Sequence, residues 1–199
     1  MNPLTQSDLL PLERYAAVRT QIRTQLIAHK KNRSLALGRH ASLLFEDRLT
    51  VHYQIQEMLR IERIFEASGI QDELDSYNPL VPDGSNLKAT LLFELSDPVE
   101  RAERLAQWVG IEHRVYAEVA GHQRVFARAN EGLEYGRADK TAAVHFLRFE
   151  FTPRAIEDLH SGAGLAIGLD HPGLREHCPV PEALREILLG DFSALVASP

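Results

Sequence analysis

The stretch AVHFLRFEF, residues 143–151, is the part of the sequence that most clearly indicates the fold. Its odd-numbered positions are apolar apart from His145, whereas Arg148 and Glu150 occupy even-numbered positions. Side chains alternate between the two faces of a β-strand, so this pattern predicts a strand with one face in the core.

Other segments repeat this alternation or show helical periodicity. Further strands are predicted at residues 34–37, 41–46, 87–95, 114–119, 124–129 and 165–169. Helices are predicted at residues 11–31, 50–68, 70–77, 98–109, 153–160 and 181–195, with Gly69 ending the second helix. Hairpin-type strand pairs mixed with helices are typical of the α+β class. We therefore expect a mainly antiparallel sheet of about five to six strands with helices packed on one face.

Composition limits the classes of protein that the chain can belong to. The 199 residues include 22 Lys and Arg against 28 Asp and Glu, a net charge of −6, which argues against a nucleic-acid-binding protein. The longest apolar runs are about five residues, far short of the about 20 that a membrane span needs. The single cysteine, Cys178, excludes an internal disulfide. We expect one globular domain over residues 1–199 and a cytoplasmic location.

The polar face of the predicted sheet carries an unusual number of charges. Its positions are Ser42-Leu44-Glu46, Lys88-Thr90-Leu92-Glu94, Arg114-Tyr116-Glu118, Arg124-Phe126-Arg128 and Phe146-Arg148-Glu150. One interpretation is a solvated face with cross-strand ion pairs. The other is a concave, charge-lined surface that binds an anionic or metal-bound ligand. Both interpretations remain open at this stage.

Two polar residues occupy positions predicted to be apolar. Placed at 100° per residue, Glu62 falls within the apolar sector of the helix predicted at residues 50–68, and His145 lies on the core face of its strand. If this helix packs on that face, the two side chains meet. Three roles stay open for the pair: a structural one, a catalytic acid/base pair, and a metal site.

Other motifs give weak indications. Asp170, His171, His177 and Cys178 cluster in a predicted loop and could ligate zinc, although their spacing matches no established chelate. The sequence contains neither His-Glu-x-x-His nor a glycine-rich nucleotide fingerprint. A divalent metal therefore stays an open expectation, with no ligand set assigned.

Seven phrases, spread over much of the chain, form a recognisable signature. They are ALG at 36–38, LLFEDR at 43–48, YQIQEMLR at 53–60, QDELD at 71–75, NPL at 78–80, NLKATL at 86–91 and VHFLRF at 144–149. In these phrases the chain resembles a bacterial family catalogued as domain of unknown function 3501. The resemblance implies a redox or oxidative-stress setting, because such proteins are often encoded beside rubrerythrin-like and iron–sulfur proteins. It assigns no catalytic residue.

These observations define a candidate site and two functional hypotheses. The residues expected to converge on a ligand are Glu46, Glu57, Asn78, Asn86 and Arg148, with Glu62 and His145 beneath them as the catalytic candidates. Packing of the main helix and its Asn-Pro turn explains the same residues without a ligand. The first hypothesis is an accessory protein of a redox system that acts through a rubrerythrin-like or iron–sulfur partner and a divalent metal. The alternative is a small-molecule enzyme with Glu/His acid–base chemistry and an arginine-held anionic substrate.

Overall fold

Two antiparallel sheets form the centre of the computed structural model, which describes residues 2–131 and 139–192. The strands are β1 (Ser34–Leu37), β2 (Ala41–Glu46), β3 (Asn86–Phe93), β4 (Val115–Val119), β5 (Val125–Phe126), β6 (Arg128–Ala129), β7 (Val144–Glu150), β8 (Leu165–His171) and β9 (Leu174–Pro179). The first sheet has the order β1-β2-β3-β7-β6 and the second has the order β5-β4-β8-β9. The helices are α1 (Leu12–Lys31), α2 (Arg48–Glu62), α3 (Ala67–Tyr77), α4 (Pro98–Gln107), α5 (Pro153–His160) and α6 (Glu182–Leu189). The predicted α+β class is confirmed, with the strands divided between two sheets.

One hydrophobic core joins the inner faces of the two sheets. Phe45, Leu91 and Phe149 of the first sheet and Ala117 and Ile167 of the second are completely buried in the same cluster. Side chains of α4, α5 and α6 complete this core. The apolar face predicted from strand alternation is therefore covered by a second sheet as well as by helices.

One extended segment contributes a short strand to each of the two sheets. β5 pairs with β4 in the second sheet, whereas β6 pairs with β7 in the first. Ala127 lies between them, and its N–H donates to the carbonyl of Val115 at 2.8 Å. The strand predicted at residues 124–129 is therefore broken at Ala127 and turns Arg128 toward the outer face of the first sheet.

Helices α2 and α3 belong to a separate apolar cluster. Its buried members are Leu4, Val51, Ile55, Leu59, Leu74 and Val81. A cavity is lined on one side by residues of α2 and α3 and on the other by outer-face residues of β3 and β7. These two helices therefore lie over the charged face of the first sheet. Packing of the main helix on the opposite, apolar face was the condition for a contact between Glu62 and His145, and the structure does not meet this condition.

The main helix starts and ends at identifiable signals. Asp47 accepts hydrogen bonds from the N–H groups of Leu49 and Thr50, which are orphan donors of the first turn of α2. The helix ends at Glu62, because Arg63 adopts a left-handed conformation with φ 56°. The prediction that it extends to residue 68 is therefore wrong. A non-glycine residue in this conformation leaves no mark in the sequence.

Strand β9 is the main element that the sequence interpretation missed. It forms a hairpin with β8 across Pro172 and Gly173, where a loop was predicted. The predicted closing helix is shorter, since α6 ends at Leu189, and residues 193–195 of that prediction lie outside the described part. None of the described helices combines the length and the apolar character that crossing a membrane requires.

Candidate functional site

Three cationic residues form a continuous row across the outer face of the first sheet. Lys88 on β3 is directly opposite Arg148 on β7, and Arg148 is directly opposite Arg128 on β6. Glu46 on β2 is paired with Lys88 at the other end of the row. Like charges placed directly opposite each other destabilise a sheet. A row of three cations therefore requires compensation from its surroundings.

A cavity of about 550 Å³ lies between this row and helices α2 and α3; we call it the helix–sheet cavity. Its lining is composed of Met58, Glu73, Asp75, Ser76, Tyr77, Pro79, Leu80, Lys88, Arg128, Glu131, Phe146, Leu147 and Arg148. A second cavity of about 340 Å³ shares Pro79, Lys88, Glu131 and Arg148 with it. The volume of the first lies within the roughly 300–1,000 Å³ typical of small-molecule sites.

Lys88 is the least compensated member of the row. Its side chain is partly buried, and among the described residues no carboxylate oxygen lies within 4 Å of its ammonium. Burial lowers the pKa of Lys88, and the neighbouring positive charge of Arg148 lowers it further. Asp83, Glu131 and Glu150 oppose this effect from a distance. Lys88 is therefore a cation in a cavity to which the described residues supply no close counterion.

Arg148 is compensated by carboxylates of the chain itself. Its Nη2 donates to Glu131 Oε1 at 2.8 Å, and its Nε lies 2.7 Å from Glu131 Oε2 in an electrostatic contact without hydrogen-bond geometry. Its Nη1 lies 3.4 Å from Glu150 Oε2. Arg128 is 62% exposed and reaches Glu131 only at 4.0 Å. Glu131 therefore shows that a carboxylate fits over this row of cations.

Acidic side chains line the side of the cavity that α3 provides. Glu73 and Asp75 both belong to α3 and contribute to its lining. Burial raises the pKa of Glu73, and the negative charges of Glu62 and Asp72 raise it further. The cavity thus has cations on the sheet and carboxyl groups on the helix, with Met58 and Phe146 as part of its apolar surface.

Two of the predicted ligand-binding residues line these cavities. Arg148 lines both cavities, and Asn78 lines the smaller one. The Asn78 side chain is already engaged, because Nδ2 donates to the carbonyl of Leu4 at 2.9 Å and Oδ1 accepts from its N–H at 2.7 Å. Asn78 therefore fastens the N-terminal segment beside the cavity.

Glu46 and Asn86 lie near the row but are held by neighbouring side chains. Glu46 is buried and accepts a hydrogen bond from Thr90 Oγ1 at 2.6 Å. Asn86 is completely buried and donates through Nδ2 to Glu150 Oε2 at 3.4 Å. Glu46 lies opposite Lys88, and Asn86 lies two residues before Lys88 on β3. Neither residue lines the larger cavity.

Glu57 belongs to an ion-pair network between α1 and α2. It accepts hydrogen bonds from Arg19 Nε and Nη2, both at 2.8 Å, and from the Tyr15 hydroxyl at 2.7 Å. Its pKa is lowered to about 2, mainly by Arg19. The structure does not bring Glu57 together with Arg148, Asn78 or Asn86 at the cavity.

The predicted contact between Glu62 and His145 is not formed. Glu62 is exposed at the end of α2, on the outer side of the first sheet. His145 is buried on the inner side, against Phe93. The buried polar residues of α2 are instead Thr50 and Gln56, and the Gln56 amide exchanges hydrogen bonds with the backbone of Leu10 at 2.9 and 3.0 Å.

Protein groups occupy both ring nitrogens of His145. Asn130 Nδ2 donates to Nδ1 at 3.0 Å, and Nε2 donates to the carbonyl of Ala142 at 3.0 Å. An amide nitrogen can only donate and a carbonyl can only accept, so these partners fix the proton on Nε2. Burial lowers the pKa of His145, which favours this neutral form. Thr141 Oγ1 lies 2.9 Å from Nε2 and donates to Glu112.

The proposed zinc ligands do not converge. His177 pairs with Gly168 and Cys178 with Ile167, so these two neighbours point to opposite faces of β9. Within residues 2–131 and 139–192, no group of three His, Cys, Asp or Glu side chains is arranged to hold a metal ion.

Sequence reasoning identified the charged face but did not single out Lys88 or Arg128. These two residues stand out only through the register that places them opposite Arg148. That register becomes visible only once β3 and β6 are known to pair with β7. The cavity also requires knowing that α2 and α3 cover this face.

Comparisons with known proteins place the chain in a family. The model of a family described as "Protein of unknown function (DUF3501)" matches residues 3–192. A crystal structure of a protein of unknown function from Burkholderia pseudomallei K96243 has 49% sequence identity and a TM-score of 0.91, covering 96% of this chain and 100% of that one. The search of curated proteins gives no match. Since the family model spans most of the sequence, the chain belongs to the DUF3501 family.

Proposed function

We propose that this protein binds a small organic acid with a single negative charge and an apolar body in the helix–sheet cavity. The observation that carries the proposal is the row Lys88, Arg148 and Arg128, in which Lys88 has no close carboxylate among the described residues. A bound carboxylate would offset the repulsion within the row. It would also supply a counterion for a partly buried ammonium.

The apolar part of the cavity favours an organic ligand over a simple anion. Met58, Leu80 and Phe146 line the same space as the cations. An apolar or aromatic body placed against them gains about 25 cal/mol for each Å² removed from water. A free inorganic anion makes none of these contacts and is expected to bind more weakly.

The distribution of charge favours a monoanion over a polyanion. Glu73 and Asp75 line the cavity from α3, and Glu131 already compensates Arg148. A polyphosphate would meet these carboxylates as well as the cations, and like charges in a site of low dielectric repel strongly. A single carboxylate at Lys88 avoids this repulsion.

Calorimetric titration with 3-phenylpropionate tests the proposal. The wild-type chain is expected to bind it more tightly than 3-phenylpropanol, inorganic phosphate or triphosphate. Lys88→Met is expected to weaken binding by about 10- to 100-fold, the loss of one charged hydrogen bond. Lys31→Met, an exposed lysine outside the cavity, is the matched control and should bind as wild type does. No binding by wild type, or equal affinities for the two variants, would overturn the proposal.

The role as an accessory protein of a redox system rests on the family resemblance alone. It stays a prediction, and recovery of a rubrerythrin-like or iron–sulfur partner by affinity purification at native expression tests it. The divalent-metal expectation is tested by metal analysis of untagged protein. Both hypotheses are independent of the cavity and of the organic-acid proposal.

A further inference from the structure

We propose that the Lys88 amine forms an imine with the carbonyl group of a 2-oxo acid bound in the helix–sheet cavity. This inference rests on the proposed function, because the acid group of the ligand must first be held by the cation row. It adds a covalent step and a defined substrate class to that function.

The position of Lys88 suits a nucleophilic amine. Its side chain lies among the lining residues of the cavity, partly buried, and no carboxylate oxygen of the described residues lies within 4 Å of its nitrogen. An ammonium locked in an ion pair would stay protonated and could not attack a carbonyl carbon. None of the described carboxylates places Lys88 under this constraint.

Its electrostatic environment favours the neutral amine. Burial lowers the pKa of Lys88, and Arg148, directly opposite on β7, lowers it further. Desolvation and an adjacent cation are the two features that activate lysines for imine formation in enzymes. The same arrangement that makes the cation row costly therefore makes the Lys88 amine reactive.

The spacing of the row selects a carbonyl adjacent to the acid group. Directly opposite residues on neighbouring antiparallel strands have Cα atoms about 4.5–5.5 Å apart. Lys88 and Arg148 occupy such positions, with Arg128 one strand further. In a 2-oxo acid the carboxylate carbon and the carbonyl carbon are bonded to each other. A carboxylate held between Lys88 and Arg148 therefore keeps the carbonyl carbon within reach of the Lys88 nitrogen.

The chemical step requires no oxidant, reductant or metal. The lone pair of the neutral amine forms a C–N bond with the carbonyl carbon, giving a carbinolamine. The carbonyl oxygen then leaves as water and takes both hydrogens of the amine with it. The C=N bond of the imine replaces the C=O bond, and protonation of the imine nitrogen takes one proton from solution.

Reductive trapping on the full chain tests the inference. The protein is incubated with phenylpyruvate and sodium cyanoborohydride, which delivers hydride to the imine carbon and leaves a stable secondary amine. The chain has only four lysines, Lys30, Lys31, Lys88 and Lys140, so peptide mass mapping assigns each adduct. We expect adduct at Lys88 to exceed that at any other lysine by about tenfold or more, because the cavity holds the carbonyl group beside this amine. Excess 3-phenylpropionate, which has no carbonyl, should suppress it.

Two further measurements separate failure of this inference from failure of the proposed function. Lys140→Arg, an exposed position outside the cavity, is expected to keep both 3-phenylpropionate binding and the Lys88 adduct, whereas Lys88→Arg is expected to lose the adduct. If wild-type protein binds 3-phenylpropionate but phenylpyruvate labels all four lysines equally, the imine inference is overturned and the organic-acid proposal stands. If neither compound binds in the calorimeter, both are overturned.

Discussion

Lys88 and Arg148 are directly opposite each other on neighbouring strands, with both side chains lining one cavity. Two like charges in this arrangement cost stability, and Arg128 beside them adds a third. Sheets normally place opposite charges or apolar side chains at such positions. We infer that binding, rather than stability, explains this row.

Lys88→Met is expected to stabilise the free protein. The substitution keeps an unbranched side chain of similar length and removes both the repulsion from Arg148 and the cost of partly burying an ammonium. We expect the free energy of unfolding to rise by about 0.5–1 kcal/mol in urea denaturation. Lys31→Met, at an exposed position, should change it by less than about 0.5 kcal/mol. Destabilisation by Lys88→Met would show that the row serves the fold itself.

Arg63→Gly is expected to stabilise the protein through the backbone. Arg63 ends α2 with φ 56°, a conformation that costs a side-chain-bearing residue about 1 kcal/mol and costs glycine almost nothing. Part of this gain is lost to the greater freedom of glycine in the unfolded chain. A rise in melting temperature is expected for Arg63→Gly, with Arg63→Ala as the control that retains the strain. Equal melting temperatures for the two variants would contradict this account.

Arg33→Met is expected to destabilise the protein in a pH-dependent way. Arg33 is buried, forms an ion pair with Asp191 and donates to the carbonyl of Phe45 at 2.9 Å. Without it, a buried carboxylate is left unpaired, which costs about 3 kcal/mol at pH 7.5. Burial raises the pKa of Asp191 to about 6. Protonation of Asp191 at pH 5 should therefore reduce the loss in free energy of unfolding caused by Arg33→Met.

Arg154→Met serves as the control for Arg33→Met. Arg154 is 77% exposed on α5, and its ion pair with Asp158 is a surface contact. We expect Arg154→Met to change the free energy of unfolding by less than about 0.5 kcal/mol at both pH values. An equal loss for Arg33→Met at pH 5 and pH 7.5 would contradict the assignment of a titrating Asp191.

His145 is expected to make stability decrease in acid. Burial lowers its pKa in the folded state below the ordinary value of 6.5, so the unfolded chain binds more protons in this window. The free energy of unfolding therefore falls as the pH drops below about 6.5, down to the folded-state pKa. Urea denaturation between pH 5 and pH 7.5 should show a steeper dependence for wild type than for His145→Gln. If the free energy of unfolding changed equally with pH in the two proteins, His145 would not be a buried, neutral imidazole.

Local sequence signals predicted much of the secondary structure. The strands at residues 34–37 and 41–46 and the helix at residues 153–160 lie where alternation and capping placed them. Signals of this kind are contained within the segment itself, so they can be recognised without knowing the fold. The end of α2 was missed because Arg63 carries no glycine signature in a left-handed conformation. The β8–β9 hairpin was missed although Pro172 and Gly173 form a turn signal.

The candidate site was only partly predictable because it depends on long-range pairing. The charged face and Arg148 followed from alternation within single strands. The row required β3 and β7, more than 50 residues apart in the sequence, to be neighbours in the stated register. The position of Glu62 depended on which face of α2 is buried, and the buried face contains Gln56, whereas Glu62 is exposed.

Binding of an organic acid in the helix–sheet cavity is best tested by a crystal structure of the protein soaked with 3-phenylpropionate. We expect ligand density in the helix–sheet cavity, with the carboxylate within hydrogen-bonding distance of Lys88 Nζ and the ring against Met58 and Phe146. Density at any other position, or a cavity that stays free of ligand at concentrations saturating in the calorimeter, would contradict it.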